Sequence, residues 1–176
     1  QELLSIATSS WRGLSFFVLT ITKWMSFMDK RVLEVGYGSV NKIKIGDNLP
    51  LAFILGPCAI ESREHAFKMA KSIGEICQRV GVPWIYKSCY DKDCRSSPDS
   101  FHGLGADHGL RVLADVREEF GVPVISDFSE PEWSKATGEV CDLVQVPAYL
   151  CRQTSILRAA ALTNRPVHLK KGQFMS

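Results

Sequence analysis

At 176 residues, with 45% hydrophobic and 23% charged side chains, the chain has the length of one globular domain and enough apolar residues for a sizeable core. A net charge of +2 supplies no bulk field for nucleic acid or an anionic membrane, so any cationic site has to be local. The six cysteines (Cys58, Cys77, Cys89, Cys94, Cys141, Cys151) form no C-x-x-C pair and fall mostly in apolar or helical patterns, as expected of reduced thiols in a cytoplasmic protein.

Residues 1–28 do not begin with Met, and Leu14 to Thr22 is an apolar run too short to span a bilayer, with no small-residue cleavage site after it. The run reads either as the h-region of a signal peptide or as the product of a misassigned start, with Met28 as the initiator. The second fits better, so residues 1–28 are set aside as an extension and the fold is expected over 29–176. Val32 to Gly36 and Lys42 to Gly46 alternate around Gly36, Gly38 and Asn41 and predict a small β-hairpin. After Asn48-Leu49-Pro50, the continuous apolar run Leu51 to Leu55 predicts a buried parallel strand.

Ser62 to Val80 repeats apolar residues at helical spacing, with Ser62 placed to cap it and Gly81 to stop it. The unit then recurs. Strands are predicted at Val82 to Tyr86, Val122 to Ser126, Leu143 to Val146 and Val167 to Leu169. Helices are predicted at Asp107 to Phe120, Glu130 to Gly138 and Gln153 to Thr163. Gly-Val-Pro at 81–83 and again at 121–123 marks equivalent helix-to-strand corners. Five strands alternating with helices call for a parallel sheet.

The chemistry-bearing residues collect at one end of these units. Between Tyr86 and Ser97 lie Lys87, Lys92, Arg95 and the adjacent Ser96 and Ser97, followed by the glycine-punctuated Phe101-His102-Gly103-Leu104-Gly105. Cations beside paired hydroxyls and flexible backbone suit a phosphate or carboxylate; a solvated surface loop is the plain alternative. At or just past the five strand ends stand Cys58, Lys87, Asp127, Gln145 and Lys170. In a βα-barrel these would converge on the top face, and in a doubly wound open sheet they would also meet at a ligand site. The five-strand count leaves a closed barrel unfinished, which reads as a fragment of a larger barrel, inactive alone and prone to associate through its sheet edges.

Taken together, Gly56-Pro57-Cys58-Ala59-Ile60-Glu61-Ser62, Lys87-Ser88-Cys89-Tyr90-Asp91-Lys92, Arg95-Ser96-Ser97, Gln145-Val146-Pro147-Ala148-Tyr149-Leu150-Cys151-Arg152-Gln153-Thr154 and Lys170-Lys171-Gly172-Gln173-Phe174 resemble the 3-deoxy-D-manno-octulosonate 8-phosphate synthases, also called 2-dehydro-3-deoxyphosphooctonate aldolases. The resemblance runs from about Val32 to Ser176. It implies a (β/α)8 TIM barrel of which about the first five βα units are present, after an N-terminal hairpin. It also implies an aldol-type condensation of phosphoenolpyruvate with D-arabinose 5-phosphate, releasing phosphate on the way to lipopolysaccharide. By the same resemblance Lys87, Lys92 and Lys170 contact phosphoenolpyruvate, Gln145 lines that pocket and Asp127 is a top-face carboxylate. Arg95 and Ser96 grip the sugar phosphate, and Arg152 reaches it from a neighbouring subunit of a tetramer. Cys58 marks the metal-dependent members of the family, ligating Zn, Fe or Mn with further ligands outside this chain.

Several positions depart from the family pattern. Cys94 stands where a sugar-binding Asn is expected, His102 replaces an Arg, Ser129 a His and His168 an Asn. The cations toward phosphoenolpyruvate are kept while groups toward the sugar differ, so the aldose is the open part of the assignment. Ser97 to Gly105 resembles the sister family, the 3-deoxy-D-arabino-heptulosonate 7-phosphate synthases, which is the alternative. An inactive fragment that binds anions or partners without turnover is a third reading.

Overall fold

The structure, a computed structural model, describes residues 32–176, so the expected extension at 1–28 lies outside the described residues. The described elements belong to one compact unit, Glu34–Ser176, apart from the first two hairpin residues. In chain order the elements are β1 (Val32–Val35), β2 (Ile43–Gly46), β3 (Phe53–Leu55), α1 (Arg63–Val80), β4 (Trp84–Lys87), α2 (Ala106–Phe120), β5 (Val124–Asp127), α3 (Ser134–Val140), β6 (Leu143–Val146), α4 (Thr154–Leu162) and β7 (Val167–Leu169). Strands β1 and β2 pair as the expected hairpin. Strands β3 to β7 form a five-stranded sheet in sequence order, with every neighbouring pair parallel. This is the five-unit half-barrel that the alternating pattern called for.

Local chemistry explains the boundaries. The Ser62 hydroxyl accepts from the His65 N–H at 3.0 Å and caps α1, while Gly81 at φ 75° takes the left-handed turn that ends it. Gly121 ends α2 in the same way at φ 58°. The two Gly-Val-Pro corners are equivalent in space as well. The Pro83 carbonyl accepts from the Phe53 N–H and the Pro123 carbonyl from the Tyr86 N–H, both at 2.9 Å. Each corner therefore starts the pairing with the strand before it. A single helix is expected from Glu130; instead a 3-10 turn over Pro131–Trp133, with Pro131 at its first position, precedes α3.

The sheet separates two cores. On its outer face Tyr86, Val124, Val144 and Val146 pack with helix residues including Ala66, Ala70, Leu113, Val116 and Ile156. On its inner face Ile85, Ile125 and Leu143 pack with Val35 and Ile43 of the hairpin. The hairpin thus closes the base of the inner face, and polar residues occupy the level above it.

A buried ion pair fastens that hairpin. Asp142, 1% exposed, sits just before β6. Arg117 of α2 donates to both of its oxygens, at 2.9 and 3.0 Å, and the backbone N–H groups of Tyr37 and Val124 each donate at 3.0 Å. Arg117 also donates to the Tyr37 carbonyl. The Tyr37 ring lies against the guanidinium groups of Arg117 and Arg165, at 4.0 and 3.6 Å from its centroid.

Candidate active site

The approach of β3 to β4 sets the site. Beyond β3 the chain kinks at Gly56-Pro57, and an isolated bridge between Ala59 and Cys89 resumes the parallel pairing. The Cys89 N–H donates to the Cys58 carbonyl at 3.2 Å and the Ile60 N–H to the Cys89 carbonyl at 3.0 Å. At the kink the two backbones nearly touch, because a Cβ on residue 56 would lie 1.8 Å from the Lys87 carbonyl oxygen. Gly56→Ala is therefore expected to part the strands beside Lys87. The loss should reach the upper end of the about 1–3 kcal/mol typical of overpacking, since the obstructing atom is backbone. A thermal melt lowered by roughly 2–4 °C per kcal/mol checks it.

Lys87 ends β4 with its ammonium turned to the inner face rather than to solvent. Its Nζ lies 3.0 Å from Asp127 Oδ1 and 2.8 Å from Cys89 Sγ, and the lysine and aspartate side chains are 17% and 18% exposed. Burial works against the charge on Lys87, but Asp127 and Cys89 overturn it and raise its pKa. Burial likewise opposes ionisation of Asp127, and Lys87 overcomes it and holds the carboxyl below its usual range. Burial pushes the Cys89 thiol up to about 11, so it stays protonated at neutral pH. Lys92 comes to the same mouth, where a hydrogen bond with Cys58 is the first cause holding its pKa up.

Gln145, 4% exposed, lies on β6 beside Asp127 of β5 and His168 of β7. Its Oε1 is 3.1 Å from His168 Nδ1. Burial, then Lys170 and Lys87, lower the pKa of His168. Lys170 follows β7, with its backbone N–H donating to the Val146 carbonyl at 3.2 Å. The structure therefore brings Lys87, Asp127, Gln145 and Lys170 to one end of the inner face, with Lys92 and Cys58 at the mouth. Lys87 spends its charge on Asp127, while Lys92 and Lys170 at the same end leave positive charge for an anion.

Arg95 and Ser96 are exposed on the loop between Lys92 and Phe101, which closes on itself where the Lys92 N–H donates to the His102 carbonyl at 2.6 Å. Arg152 is exposed just before α4. These three are not drawn into the lysine cluster. Sequence reasoning missed Cys89, which sits in the site beside Lys87 and Asp127, and the contact of His168 with Gln145. It also missed the Tyr149 hydroxyl, 2.8 Å from Ser129 Oγ and 3.4 Å from Asp93 Oδ2, which ties the loop of Arg95 to the loops after β5 and β6. Only the first of these left a signal, a cysteine two residues after the strand-end lysine. All six cysteines are free. Among the described residues no three His, Cys, Asp or Glu side chains gather where they could hold a metal ion, so this part of the chain does not by itself fit a resident divalent cation. Cys58 is a single exposed candidate ligand.

The DAHP synthetase I family model matches residues 23–176, nearly the whole chain. The chain belongs to that family. Curated relatives carry a narrower name. The chain is 52% identical over 132 residues to the 2-dehydro-3-deoxyphosphooctonate aldolase of Bordetella petrii, covering 75% of this chain and 46% of the relative. It is 47% identical over 138 residues to the same enzyme of Magnetococcus marinus, with coverages of 78% and 48%. For Rhodopseudomonas palustris the figures are 42% over 149 residues, 85% and 52%. The chain spans about half the length of the curated relatives it matches. The resemblance to the octulosonate synthases is thus borne out by the relatives, while the family model carries the name of the sister synthases.

Proposed function

We propose that the full-length protein condenses phosphoenolpyruvate with D-arabinose 5-phosphate to give 3-deoxy-D-manno-octulosonate 8-phosphate and phosphate, a lipopolysaccharide precursor. The observation that carries this reading is the lysine cluster, in which Lys87, paired with Asp127, lies with Lys92 and Lys170 at the open end of the inner face. Phosphoenolpyruvate bears both a carboxylate and a phosphate, and cations held on rigid strand ends neutralise them where a flexible loop would not. In the reaction a carbon–carbon bond forms between the enol methylene and the sugar aldehyde, water adds at the enol carbon, and the carbon–oxygen bond to phosphate breaks. Asp127 keeps Lys87 protonated, so its ammonium can stabilise the phosphate as it leaves.

Arg95 and Ser96 take the sugar phosphate in this proposal, and Arg152 reaches the same group of a neighbouring subunit in a tetramer. A divalent cation (Zn, Fe or Mn) would take Cys58 as one ligand and would need others from outside residues 32–176. The protein works in the cytoplasm on small molecules, without nucleic acid. No helix among the described residues is long and apolar enough to cross a membrane.

The full-length protein is expected to release inorganic phosphate when given both substrates and not with phosphoenolpyruvate alone. Running the assay with arabinose 5-phosphate, with erythrose 4-phosphate, and with or without added divalent cation tests aldose and metal together. Turnover confined to erythrose 4-phosphate would replace the proposal with the heptulosonate synthase reading, which the name of the matching family model and the Ser97 to Gly105 loop favour. No turnover with either sugar would leave an inactive anion-binding protein.

A further inference from the structure

Asp127, Gln145 and His168 stand in one transverse row, with Asp127 paired to Gln145 and Gln145 to His168 across β5, β6 and β7. Leu143, two residues before Gln145, packs in the inner core, whereas Val144 and Val146 pack with the helices, so alternation puts Gln145 on the inner face. His168 meets it there through Nδ1, 3.1 Å from the amide oxygen. With that oxygen as acceptor, the neutral ring carries its proton on Nδ1 and presents the lone pair of Nε2 elsewhere. The charged groups around the ring are Lys87 of β4, held by Asp127 of β5, and Lys170 at the end of its own strand; β6 contributes the uncharged Gln145. A half-buried imidazole between two ammonium groups stays neutral, and the same ring would welcome a proton once an anion neutralised those lysines.

We propose that His168 is a positioning residue that takes up a proton when phosphoenolpyruvate binds, turning a neutral clamp on Gln145 into a further cation facing the substrate anion. This rests on the synthase reading above. The proton comes from bulk water and goes to Nε2, and no bond to carbon changes. An amide at position 168 could still donate to Gln145 but could not take the proton, so His168→Asn separates the two roles.

The test is calorimetric titration of the full-length protein with phosphoenolpyruvate alone, in wild type and His168→Asn, at about pH 8 and about pH 6. The ratio of the variant Kd to the wild-type Kd cancels the titration of the ligand itself. It is expected to rise by about 3- to 10-fold on going to the lower pH, since one unit of pKa corresponds to tenfold in affinity. A ratio that does not change with pH overturns the inference while leaving the synthase reading intact. Absence of phosphoenolpyruvate binding by the wild type at both pH values overturns that reading, and this inference with it. The wild type gives a second readout in its histidine ring proton shifts, with the His168 resonance identified as the one missing from His168→Asn. That ring should titrate at higher pH after phosphoenolpyruvate is added, and an unmoved titration would overturn the proposal.

Discussion

Replacing Asp142 by Ala is expected to cost the protein about 3–5 kcal/mol, the range seen when one partner of a buried ion pair is removed. The carboxylate receives two hydrogen bonds from Arg117 and one each from the Tyr37 and Val124 N–H groups. Its loss leaves a guanidinium only 15% exposed without its counter-charge. It also orphans a buried donor at the start of β5, and the hairpin loses its tie to the strands it covers. Against a total stability of about 5–15 kcal/mol, the loss is a large fraction. Chemical denaturation of the full-length protein should show it as an earlier midpoint. Asp142→Asn keeps one acceptor oxygen for the backbone donors and should lose less than Asp142→Ala. Equal losses would assign the effect to the charge alone, and a negligible loss in Asp142→Ala would mean that the ion pair is not what holds this corner.

On the proposed reaction, Lys87→Met is expected to lower kcat/KM of the full-length protein by about 10²–10³, the usual effect of deleting one preorganised donor from a developing anion. The same change strands Asp127, whose charge Lys87 sustains, so stability should fall too. Lys87→Met combined with Asp127→Asn removes both charges and should recover stability without recovering activity. Recovery of both would make the lysine merely structural. The pair also predicts a pH response. Asp127 has a folded pKa below its unfolded value, so its contribution is present above the ordinary carboxylate range and is lost as pH falls through the lowered value. Lys87 has a folded pKa above its unfolded value, so its contribution is full below the ordinary lysine range and is lost as pH rises through the raised value. Both are in place at neutral pH. Melting temperatures of wild type and double variant across pH should converge at the acid and alkaline extremes.

The sheet and helices were legible because their signals are local. Ser62 and Gly81 bound α1 where the spacing placed them, and β6 and β7 fall on the runs Leu143–Val146 and Val167–Leu169. The strand-end residues were legible for a related reason, since a parallel unit always delivers the residue after its strand to the same end. The Asp142 corner was not, because nothing near Asp142 in the sequence announces partners 25 and 105 residues away. Cys89 was lost among six similar thiols, although its place two residues after the strand-end lysine is what brings its sulfur to an ammonium. Arg95 and Ser96 were singled out by their own chemistry and Arg152 by resemblance, and their exposed positions require a substrate or a neighbouring subunit to give them partners.

The placement of the hairpin anchor also bears on how the chain is made. The ribosome releases Val35 and Ile43 early, but the groups that fasten Tyr37 emerge 80 and 105 positions later, with Arg117 and Asp142. Until then these apolar side chains have only part of their sheet to cover, and closing so long a loop is slow. The nascent polypeptide must therefore carry an undocked, sticky hairpin until those residues emerge. In a cell making this protein, a holding chaperone should be found on chains stalled before Asp142 has left the ribosome and should leave once it has emerged.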